Sequence, residues 1–469
     1  MSEKRSIIWF RQDLRLVDNP ALIAAAKIGR VLPIFILDDE AAGNRKKGGA
    51  SRVWLHHALK ALNESLDGGL SVYNGCAIDI LPELVKKHEI DAVFWNRCYE
   101  PWRIKRDGLI KAHLSNSGVE VGSFNGSLLW EPWDILKADG TPYRVFTAFY
   151  KRGCLSAAAP RKPARKPARV VFFSDKDAPG IEALSLLPVK PRWDEPIARE
   201  WRFGETGAIK TLNRFLATGI SHYREGRNFP ARPHVSRLSP YLHWGVISPN
   251  TAWYKALASG DGDGVDTFCS ELGWREFSYS LLYHFPQLPI KNFQPKFNAF
   301  KWRNNPKALR TWQHGQTGVP VVDAGMRELW QTGYMHNRIR MVVASYLTKN
   351  LRIDWRKGEA WFWDTLVDAD LASNSASWQW VAGSGADAAP YFRIFNPVRQ
   401  AERFDPEADY IRKYVPELAL LEVKHIFSPW AAPEDILDAA GIKLGVTYPK
   451  PLVDLKTSRE EALAAYKAL

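Results

Sequence analysis

The stretch SIIWFRQDLRLVDNPALIAAAKIGRVLPIFIL (residues 6–37) decides the fold of the first part of the chain. It begins with an apolar run at 6–10, continues through an Ala- and Leu-rich segment at 21–28, and ends with a second apolar run at 31–37. A buried strand, a helix and another buried strand in succession are typical of a βαβ unit, whose strands are parallel. The stretch therefore predicts a parallel sheet covered by helices.

The alternation of strand and helix patterns continues to about residue 130. Further strand-like runs lie at 70–73, 92–95 and 119–124, and helix-like segments lie at 54–66 and 80–88. This order predicts an α/β amino-terminal domain with a doubly wound parallel sheet.

No GxGxxG sequence follows the first strand, so the dinucleotide-binding fingerprint is lacking. Ligands of such sheets lie outside the carboxyl ends of the strands. Asp38, Asp39 and Asn96 follow predicted strands and indicate a pocket at that edge, with solvated loop residues as the alternative.

The alternation of strand and helix patterns is absent between residues 131 and 200. Within this region, AAAPRKPARKPARVV (157–171) is rich in Pro, Ala and basic residues. This composition predicts a surface linker, and contact of its basic residues with DNA phosphates is the alternative.

After residue 200, apolar residues recur at spacings of three and four, which predicts an almost all-α half with many short helices. The clearest helical segments are 205–217, 266–284, 321–331, 339–347 and 359–366. The predicted organisation is an α/β domain at 1–130, a linker at 131–200 and a large all-α domain at 201–469.

The composition indicates a chain of two or three domains with an anionic partner. The 469 residues carry a net charge of +13, which suits a nucleic acid or a phosphorylated cofactor, although a generally basic protein is the alternative. Twenty Trp suit stacking on flat ligands, and many of them must also be core residues.

Four cysteines, Cys76, Cys98, Cys154 and Cys269, show no CxxC spacing. The sequence thus predicts neither a disulfide framework nor a metal site, and it indicates a reducing, cytoplasmic setting. No apolar stretch reaches the roughly 18 residues of a membrane span, so neither a targeting segment nor a membrane is expected.

Two segments of the carboxyl half have polar groups suited to ligand binding. SRLSP (236–240) places Arg237 between two hydroxyls before a helical stretch, an arrangement that can hold a phosphate or serve as an ordinary N-cap. SELGWREF (270–277) puts Glu271 and Trp274 on one helix face, where they can bond and stack on a flat ligand. A core Trp beside a surface ion pair is the alternative there.

YMHNRIRM (334–341) crowds basic groups together, and a buried Arg in it needs a carboxylate partner, for which Asp368 or Asp370 is the candidate. His336 alone is more often structural than catalytic. The two acids open DADLASNSASWQWVAGSGADAAPYFRIFNP (368–397), whose small residues would let a ligand or another backbone approach closely. A Gly/Ala loop between core helices is the alternative.

Together and in this order, these segments resemble the photolyase and cryptochrome family. WFRQDLRLVDNPAL (9–22), SRLSPYLHWG (236–245), GVPVVDAGMREL (318–329) and MHNRIRM (335–341) are similar to its signatures, and the resemblance covers nearly the whole chain. It implies that 1–130 is an antenna-binding domain and that 201–469 binds FAD and DNA.

Carried over residue by residue, the resemblance implies an FAD site. Its residues are Tyr223, Val235, Ser236, Arg237, Leu238, Ser239, Phe268, Arg275, Asn337, Arg340, Asp368, Asp370 and Asn374. Val235 stands where the family often has Thr, so one phosphate hydroxyl is expected to be missing. Asn374 matches the residue that faces the central-ring nitrogen of the flavin. An amide there tolerates a reduced, anionic flavin, whereas plant-type cryptochromes tend to carry Asp.

The resemblance also implies an electron-transfer chain and a DNA surface. Trp378, Trp355 and Trp302 match the chain from the flavin to the surface, although without the family match they would be core residues. The residues expected to contact the lesion or the strand are Arg227, Glu271, Trp274, Asn337, Arg338, Met341, Trp380 and Gln400. The family extrudes its target base from the duplex.

The implied function is light-driven repair of cyclobutane pyrimidine dimers in single- or double-stranded DNA, by electron transfer from excited, reduced FAD in a monomeric enzyme. Glu271 and Asn374 would act in catalysis with the three Trp residues. Asn337 stands where (6-4) photolyases show a second His, which disfavours that alternative. Asn374 disfavours the other alternative, a cryptochrome-type blue-light photoreceptor.

The second, antenna chromophore is less directly indicated by the motifs. Trp102 and Arg103 stand where folate-binding members of one branch have Asn and Glu. GGASRVWLHHAL (48–59) and FNGSLLWEPW (124–133) look closer to a bacterial branch that holds folate differently. Methenyltetrahydrofolate is therefore expected in preference to a deazaflavin.

Overall fold

The computed structural model describes residues 3–388 and 392–469. It confirms the predicted parallel sheet, which has five strands in the order β3-β2-β1-β4-β5. The strands are β1 (Arg5–Phe10), β2 (Arg30–Leu37), β3 (Ser71–Asn74), β4 (Ala92–Asn96) and β5 (Glu120–Phe124). All neighbouring strands are parallel. Since β1 has β2 on one side and β4 on the other, the strand order reverses beside β1, where doubly wound sheets have their ligand crevice.

The described residues of the amino-terminal half form seven α-helices. They are α1 (Pro20–Ile28), α2 (Asp39–Ala42), α3 (Gly49–Ser65), α4 (Ala77–Lys87), α5 (Pro101–Asn116), α6 (Phe146–Ala148) and α7 (Glu195–Glu200). Of these helices, α1, α4 and α5 pack against the sheet. Asn19 begins α1 by accepting a hydrogen bond from the backbone N–H of Leu22 (3.1 Å), and Pro20 follows at the first helical position. The strand residues Ile7 and Ile34 are fully buried against α4 and α5, as a sheet covered by helices requires.

The remaining residues form the predicted series of helices, most of them short. They are α8 (Gly204–Thr218), α9 (Tyr223–Gly226), α10 (Ser239–His243), α11 (Pro249–Ala258), α12 (Asp263–His284), α13 (Pro306–Gln313), α14 (Pro320–Thr332), α15 (Asn337–Ser345), α16 (Trp355–Thr365), α17 (Leu371–Ala382), α18 (Pro397–Phe404), α19 (Asp409–Tyr414), α20 (Val423–Ile426), α21 (Glu434–Ala439) and α22 (Leu455–Lys467). Within the described ranges, no helix combines the length and apolar character needed to cross a membrane.

The chain divides into two compact units. The first unit comprises Met1–Ala217, Ser236–Pro286 and Val367–Ala372, and the second comprises Thr218–Val235, Gln287–Leu366 and Ser373–Leu469. The domain limits proposed at residues 130 and 200 stay a prediction. Within the first unit the predicted linker is not a loose chain, because it forms a β-bridge from Phe172 to Val31 and packs Phe146 on Trp274.

Arg15 ties three loops of the first unit together. Its guanidinium is buried and donates to the carbonyl oxygens of Gly245 (2.8 Å), Gly126 (2.7 Å) and Asp18 (2.8 Å). A guanidinium has five N–H donors in a fixed fork and can satisfy several carbonyls at once. One side chain thereby joins the loops that follow β1, β5 and α10.

The turn at Gly245 generates a first prediction. Gly245 has a φ of 60°, and an added Cβ would overlap the carbonyl group of Gln12. Gly245→Ala should lower the free energy of unfolding by about 2–4 kcal/mol. The strain of the left-handed backbone conformation and the steric overlap of the new Cβ with Gln12 both contribute to this loss. Gly118→Ala is the matched control, since Gly118 has a φ of 80° with open space around it and should lose only about 1 kcal/mol. Urea denaturation measures both, and equal losses would contradict the close contact with Gln12.

Candidate functional site

The residues predicted to line a pocket at the sheet edge form hydrogen bonds within the first unit. Asp38 accepts from Arg106 Nη1 (3.1 Å), and Asp39 pairs with Arg52. Asn96 donates its side-chain amide to the loop that follows β1. These side chains therefore stabilise the loops of the edge, and a ligand role for them stays a prediction.

The turn before α10 contains the predicted phosphate-binding residues. Arg237 has a φ of 53°, and its Nη1 donates to Glu200 (2.6 Å), so its side chain is engaged in an ion pair. The backbone N–H of Leu238 donates to Ser236 Oγ (3.4 Å), and Ser239 is exposed. The hydroxyls rather than the guanidinium are thus the groups that this turn offers to a phosphate.

Asp370 is a buried carboxylate surrounded by donors. Tyr279 donates its hydroxyl to Asp370 Oδ2, and His243 Nδ1 lies 3.6 Å from the same oxygen. Burial by itself would raise the pKa of Asp370, but the contact with His243 and the charge of Arg275 hold it well below its usual range. Asp370 is therefore ionised at neutral pH. Asp368 is also buried in the first unit.

The long helix α12 carries Phe268, Glu271 and Trp274. Phe268 is buried, whereas Glu271 and Trp274 are half-buried and lie three residues apart on one helix face, as predicted. The ring of Phe146 stacks on Trp274 with centroids 3.8 Å apart and planes at 11°. One face of the indole is thus covered within the first unit, and only the other face can stack on a ligand.

Arg275 and Glu276 form a buried pair on the same helix. Arg275 Nη1 lies 3.2 Å from Glu276 Oε1, and Glu276 Oε2 accepts the backbone N–H groups of Leu129 (2.9 Å) and Trp130 (3.2 Å). Burial raises the pKa of Glu276 to about 7, against the opposing charge of Arg275. The sequence motif gave no sign of this shift, because the burial that causes it depends on the tertiary fold.

A cluster of arginines lies in the second unit. Partial burial and the positive charges of Arg227, Arg403 and Arg393 lower the pKa of Arg338. The hydrogen-bond partner of its Nη2 is the neutral amide oxygen of Asn228, and a carboxylate partner for the other arginine of this motif, Arg340, stays a prediction. Like charges held together in this way attract an anion such as a nucleic-acid backbone.

The sequence identified Arg227 and Arg338 but missed two members of this cluster. Arg393 and Arg403 flank Gln400, which was expected to contact the strand and is half-buried on α18. The basic residues around Gln400 in the sequence could have indicated this cluster. Only the folded chain, however, brings Arg393 and Arg403 to Arg338.

The start of α15 has a structural histidine. His336 Nδ1 accepts the backbone N–H of Arg338 (3.2 Å), and burial, with the charges of Arg338 and Arg340, lowers the pKa of His336 to about 3. His336 is thus a neutral helix cap, the role that the sequence favoured. Arg340 Nε donates to the carbonyl of Met335 (2.7 Å), while Asn337 is exposed at the first position of α15.

Asn374 offers one oriented acceptor. It is buried on α17, and its Nδ2 donates to the carbonyl of Glu359 (3.0 Å). This bond fixes the amide plane, and within residues 3–388 and 392–469 no hydrogen-bond donor reaches Oδ1. The carbonyl oxygen is therefore available to the N–H of a ligand.

The three Trp residues of the expected chain differ in burial. Trp378 and Trp355 are buried, and Trp302 is partly exposed, in the expected order from interior to surface. An added Cβ at Gly358 would overlap the ring of Trp378, so the indole lies directly on α16. Trp312, which the sequence reasoning did not single out, packs edge-on against Trp378 with centroids 6.3 Å apart.

The small residues after Trp380 have a local explanation. Trp380 Nε1 donates to the carbonyl of Asp387 (3.0 Å), and Gly383 has a φ of 93°. A Cβ at Gly385 would lie 2.8 Å from the backbone of Gln379. The turn itself therefore requires these glycines, in agreement with the close approach of another backbone that the sequence predicted. Close approach of a flavin stays a prediction. Residues 389–391 of the same stretch, including Tyr391, lie outside the described residues.

Each unit offers groups that fit FAD. The first unit supplies serine hydroxyls for phosphate and the ionised carboxylate of Asp370 for a hydroxyl or ring N–H. The second supplies the buried Tyr223 and the oriented Oδ1 of Asn374. Val235 and Met341 are half-buried and provide apolar surface.

Comparison with protein families assigns both halves of the chain. Residues 6–168 match the family described as DNA photolyase, and residues 268–468 match the FAD binding domain of DNA photolyase.

Individual relatives agree with these matches. The deoxyribodipyrimidine photo-lyase of Agrobacterium fabrum is 49% identical over 99% of this chain and 98% of its own length. Cryptochrome-2 of Arabidopsis thaliana is 36% identical over 98% of this chain and 78% of its own length. The crystal structure of a bacterial class III photolyase from Agrobacterium tumefaciens superposes with a TM-score of 0.94 at 47% identity, covering 100% of this chain and 98% of that one.

The raised pKa of Glu276 predicts a pH-dependent stability. A carboxyl with a pKa of about 7 in the folded state and 4.5 unfolded stabilises the fold below pH 4.5, and this contribution is lost as pH rises through 7. The glutamine in Glu276→Gln does not titrate. Between pH 4.5 and 8, the unfolding free energy of this variant should therefore fall by on the order of 3 kcal/mol less than that of the unmodified protein. Urea denaturation at both pH values checks this result. Exposed Glu64→Gln is the control, and an unchanged slope in Glu276→Gln would refute the assignment.

Proposed function

The chain belongs to the photolyase/cryptochrome family, and from this we propose that it repairs cyclobutane pyrimidine dimers in DNA when illuminated, with FAD as its cofactor. The observation that carries the proposal is Asn374, whose amide is fixed by the carbonyl of Glu359 so that Oδ1 is presented as an acceptor. An acceptor at this position suits a reduced flavin, which has an N–H on its central ring. The higher identity to the Agrobacterium photo-lyase than to the plant cryptochrome supports repair over signalling.

The protein's part in this reaction is binding, orientation and electron supply. Reduced FAD, once bound and excited by light, would supply the electron that splits the dimer. The serine hydroxyls before α10 would hold phosphate, and Asp370 would bind a donor of the cofactor. The buried ring of Trp378 would be the first of three indoles that return the flavin to its reduced state, with Trp355 and Trp302 following.

DNA binding is assigned to groups of both units. The arginine cluster around Arg338 supplies positive charge for phosphates, independent of base sequence. The uncovered face of Trp274 and the carboxylate of Glu271 would pack against the lesion and bond its polar edge. Asn337, exposed at the start of α15, stands in place of the second His of (6-4) photolyases and supports the cyclobutane lesion.

We further propose methenyltetrahydrofolate, rather than a deazaflavin, as a second chromophore in the first unit. The support is the sequence resemblance of 48–59 and 124–133. An absorption band in the near ultraviolet that disappears on removal of the folate would be its signature. A monomeric state and cytoplasmic action also stay predictions, the latter supported by four free cysteines.

The function is tested with two lesions on otherwise identical oligonucleotides. Protein carrying reduced FAD should remove the cyclobutane dimer under blue light, leave it intact in the dark, and leave the (6-4) photoproduct intact under both conditions. Chromatography of digested DNA measures each lesion. Loss of only the (6-4) photoproduct would establish that the protein is a (6-4) photolyase. Photoreduction of the flavin without loss of either lesion would establish that it is a cryptochrome-type photoreceptor.

Trp302→Phe separates electron supply from repair. Because phenylalanine is much harder to oxidise than tryptophan, the outer step of the chain should fail and photoreduction of oxidised FAD should slow by about tenfold or more. Repair by protein that is already reduced should be retained. Trp330→Phe, at an exposed indole, is the matched control. Absorption spectroscopy follows the reduction, and an equal loss of repair and photoreduction in Trp302→Phe would contradict the assigned chain.

A further inference from the structure

His243 bridges two charged side chains inside the first unit. It is the last residue of α10, and its side chain is almost completely buried. Nδ1 faces Asp370 Oδ2 at 3.6 Å, and Nε2 lies 3.3 Å from Lys47 Nζ. The ammonium of Lys47 also lies 4.9 Å from the ring centroid of Trp244. The imidazole therefore stands between a cation and an anion.

This arrangement permits one neutral tautomer. An ammonium group has only donors, so Nε2 of His243 must accept from Lys47 and cannot carry a hydrogen itself. The hydrogen then belongs on Nδ1, where it points to the carboxylate of Asp370. A protonated imidazole would place an N–H against the ammonium, which is repulsive at this distance.

The charges around the bridge agree with a neutral imidazole. Burial and the charge of Lys47 lower the pKa of His243, although Asp370 and Glu100 oppose this shift. Burial, together with the charge of Arg103, lowers the pKa of Lys47 to about 8, so Lys47 stays charged at pH 7. Lys47, His243 and Asp370 act on one another electrostatically. The other titratable groups that act on these three side chains are Cys98, Glu100, Arg103, Arg275 and Tyr279.

His243 and Tyr279 approach the same oxygen of Asp370. The hydrogen bond from the Tyr279 hydroxyl and the Nδ1–H dipole of His243, which faces Oδ2 at 3.6 Å, together favour one rotation of the carboxylate and hence one direction of Oδ1. A carboxylate held in one orientation binds a ligand without losing rotational freedom on binding. Neither His243 nor Lys47 was among the residues assigned to a site, although His243 lies within the motif at 236–245.

We propose that His243 is a positioning residue for Asp370 and that Lys47 selects the tautomer in which His243 performs this role. The proposal rests on the proposed function only in assigning Asp370 to FAD. The tautomer itself is a property of this chain with or without a cofactor.

The first experiment measures the tautomer directly. Full-length protein with ¹⁵N-labelled histidine should give a His243 signal of the Nδ1–H form that does not titrate between pH 7.5 and 5.5, identified by its absence in His243→Gln. Lys47→Met, which keeps the length and removes the charge, should move this signal to a tautomer mixture that titrates in the same range. An Nε2–H form in the unmodified protein, or a Lys47→Met signal identical to it, would overturn the proposal.

The second experiment measures FAD affinity by fluorescence at pH 7. His243→Leu should weaken binding about tenfold, because the polar N–H that faces Asp370 Oδ2 at 3.6 Å is lost. His243→Asn should stay within about threefold, since its amide can replace the Nδ1–H donor. Lys46→Met, an exposed neighbour of Lys47, is the control and should bind like the unmodified protein.

The outcomes separate the two proposals. Equal affinities of His243→Leu and Lys46→Met would overturn the positioning role while leaving the proposed function standing. Failure of the unmodified protein to bind FAD would contradict the proposed function, and the tautomer measurement would still decide between the two forms of His243. Circular dichroism of each variant establishes that a loss of affinity is not a loss of fold. If His243→Leu does not fold, His243→Ala and Lys47→Met take its place, with about tenfold weaker binding expected, and unchanged binding in either variant would contradict the role.

Discussion

The buried guanidinium of Arg15 is the constraint on which the first unit depends. A buried charge costs several kcal/mol unless every donor finds an acceptor, and here backbone carbonyls of three loops meet that need. One of these carbonyls belongs to Gly245, two residues after His243. The interaction that joins the loops after β1, β5 and α10 therefore also fixes the end of α10, and with it the imidazole that faces Asp370.

The two units differ in the charged groups that they concentrate. In the first, Asp370 is surrounded by Tyr279, His243 and Arg275, so a buried carboxylate stays ionised and oriented. In the second, the positive charges of the arginines around Arg338 lower its pKa, and its Nη2 donates to the neutral amide oxygen of Asn228. A carboxylate held by donors gives a rigid binding group, whereas a cluster of like positive charges attracts a polyanion. A flavin and a DNA strand need these two properties respectively.

Much of the fold could be predicted from local pattern. The five strands lie within one or two residues of the apolar runs. The three central strands, β1, β2 and β4, are buried on both faces and therefore read as continuous apolar segments. The helix expected at 339–347 instead begins at Asn337 and ends at Ser345, where a π-helical turn at Tyr346–Asn350 follows. The spacing of apolar residues continues through that turn, so periodicity alone could not place the end of α15.

The sequence by itself determined the α/β and all-α halves, the order of the motifs and, through that order, the family. Only the tertiary structure decided which side chains meet: Phe146 on one face of Trp274, Arg393 and Arg403 beside Arg338, and Lys47 against His243. The physical reason is that burial repeats along the chain with the period of a strand or helix, so it can be recognised from a short segment of sequence. Pairing of charges depends instead on distances between residues that lie far apart in sequence, and no local pattern encodes these distances.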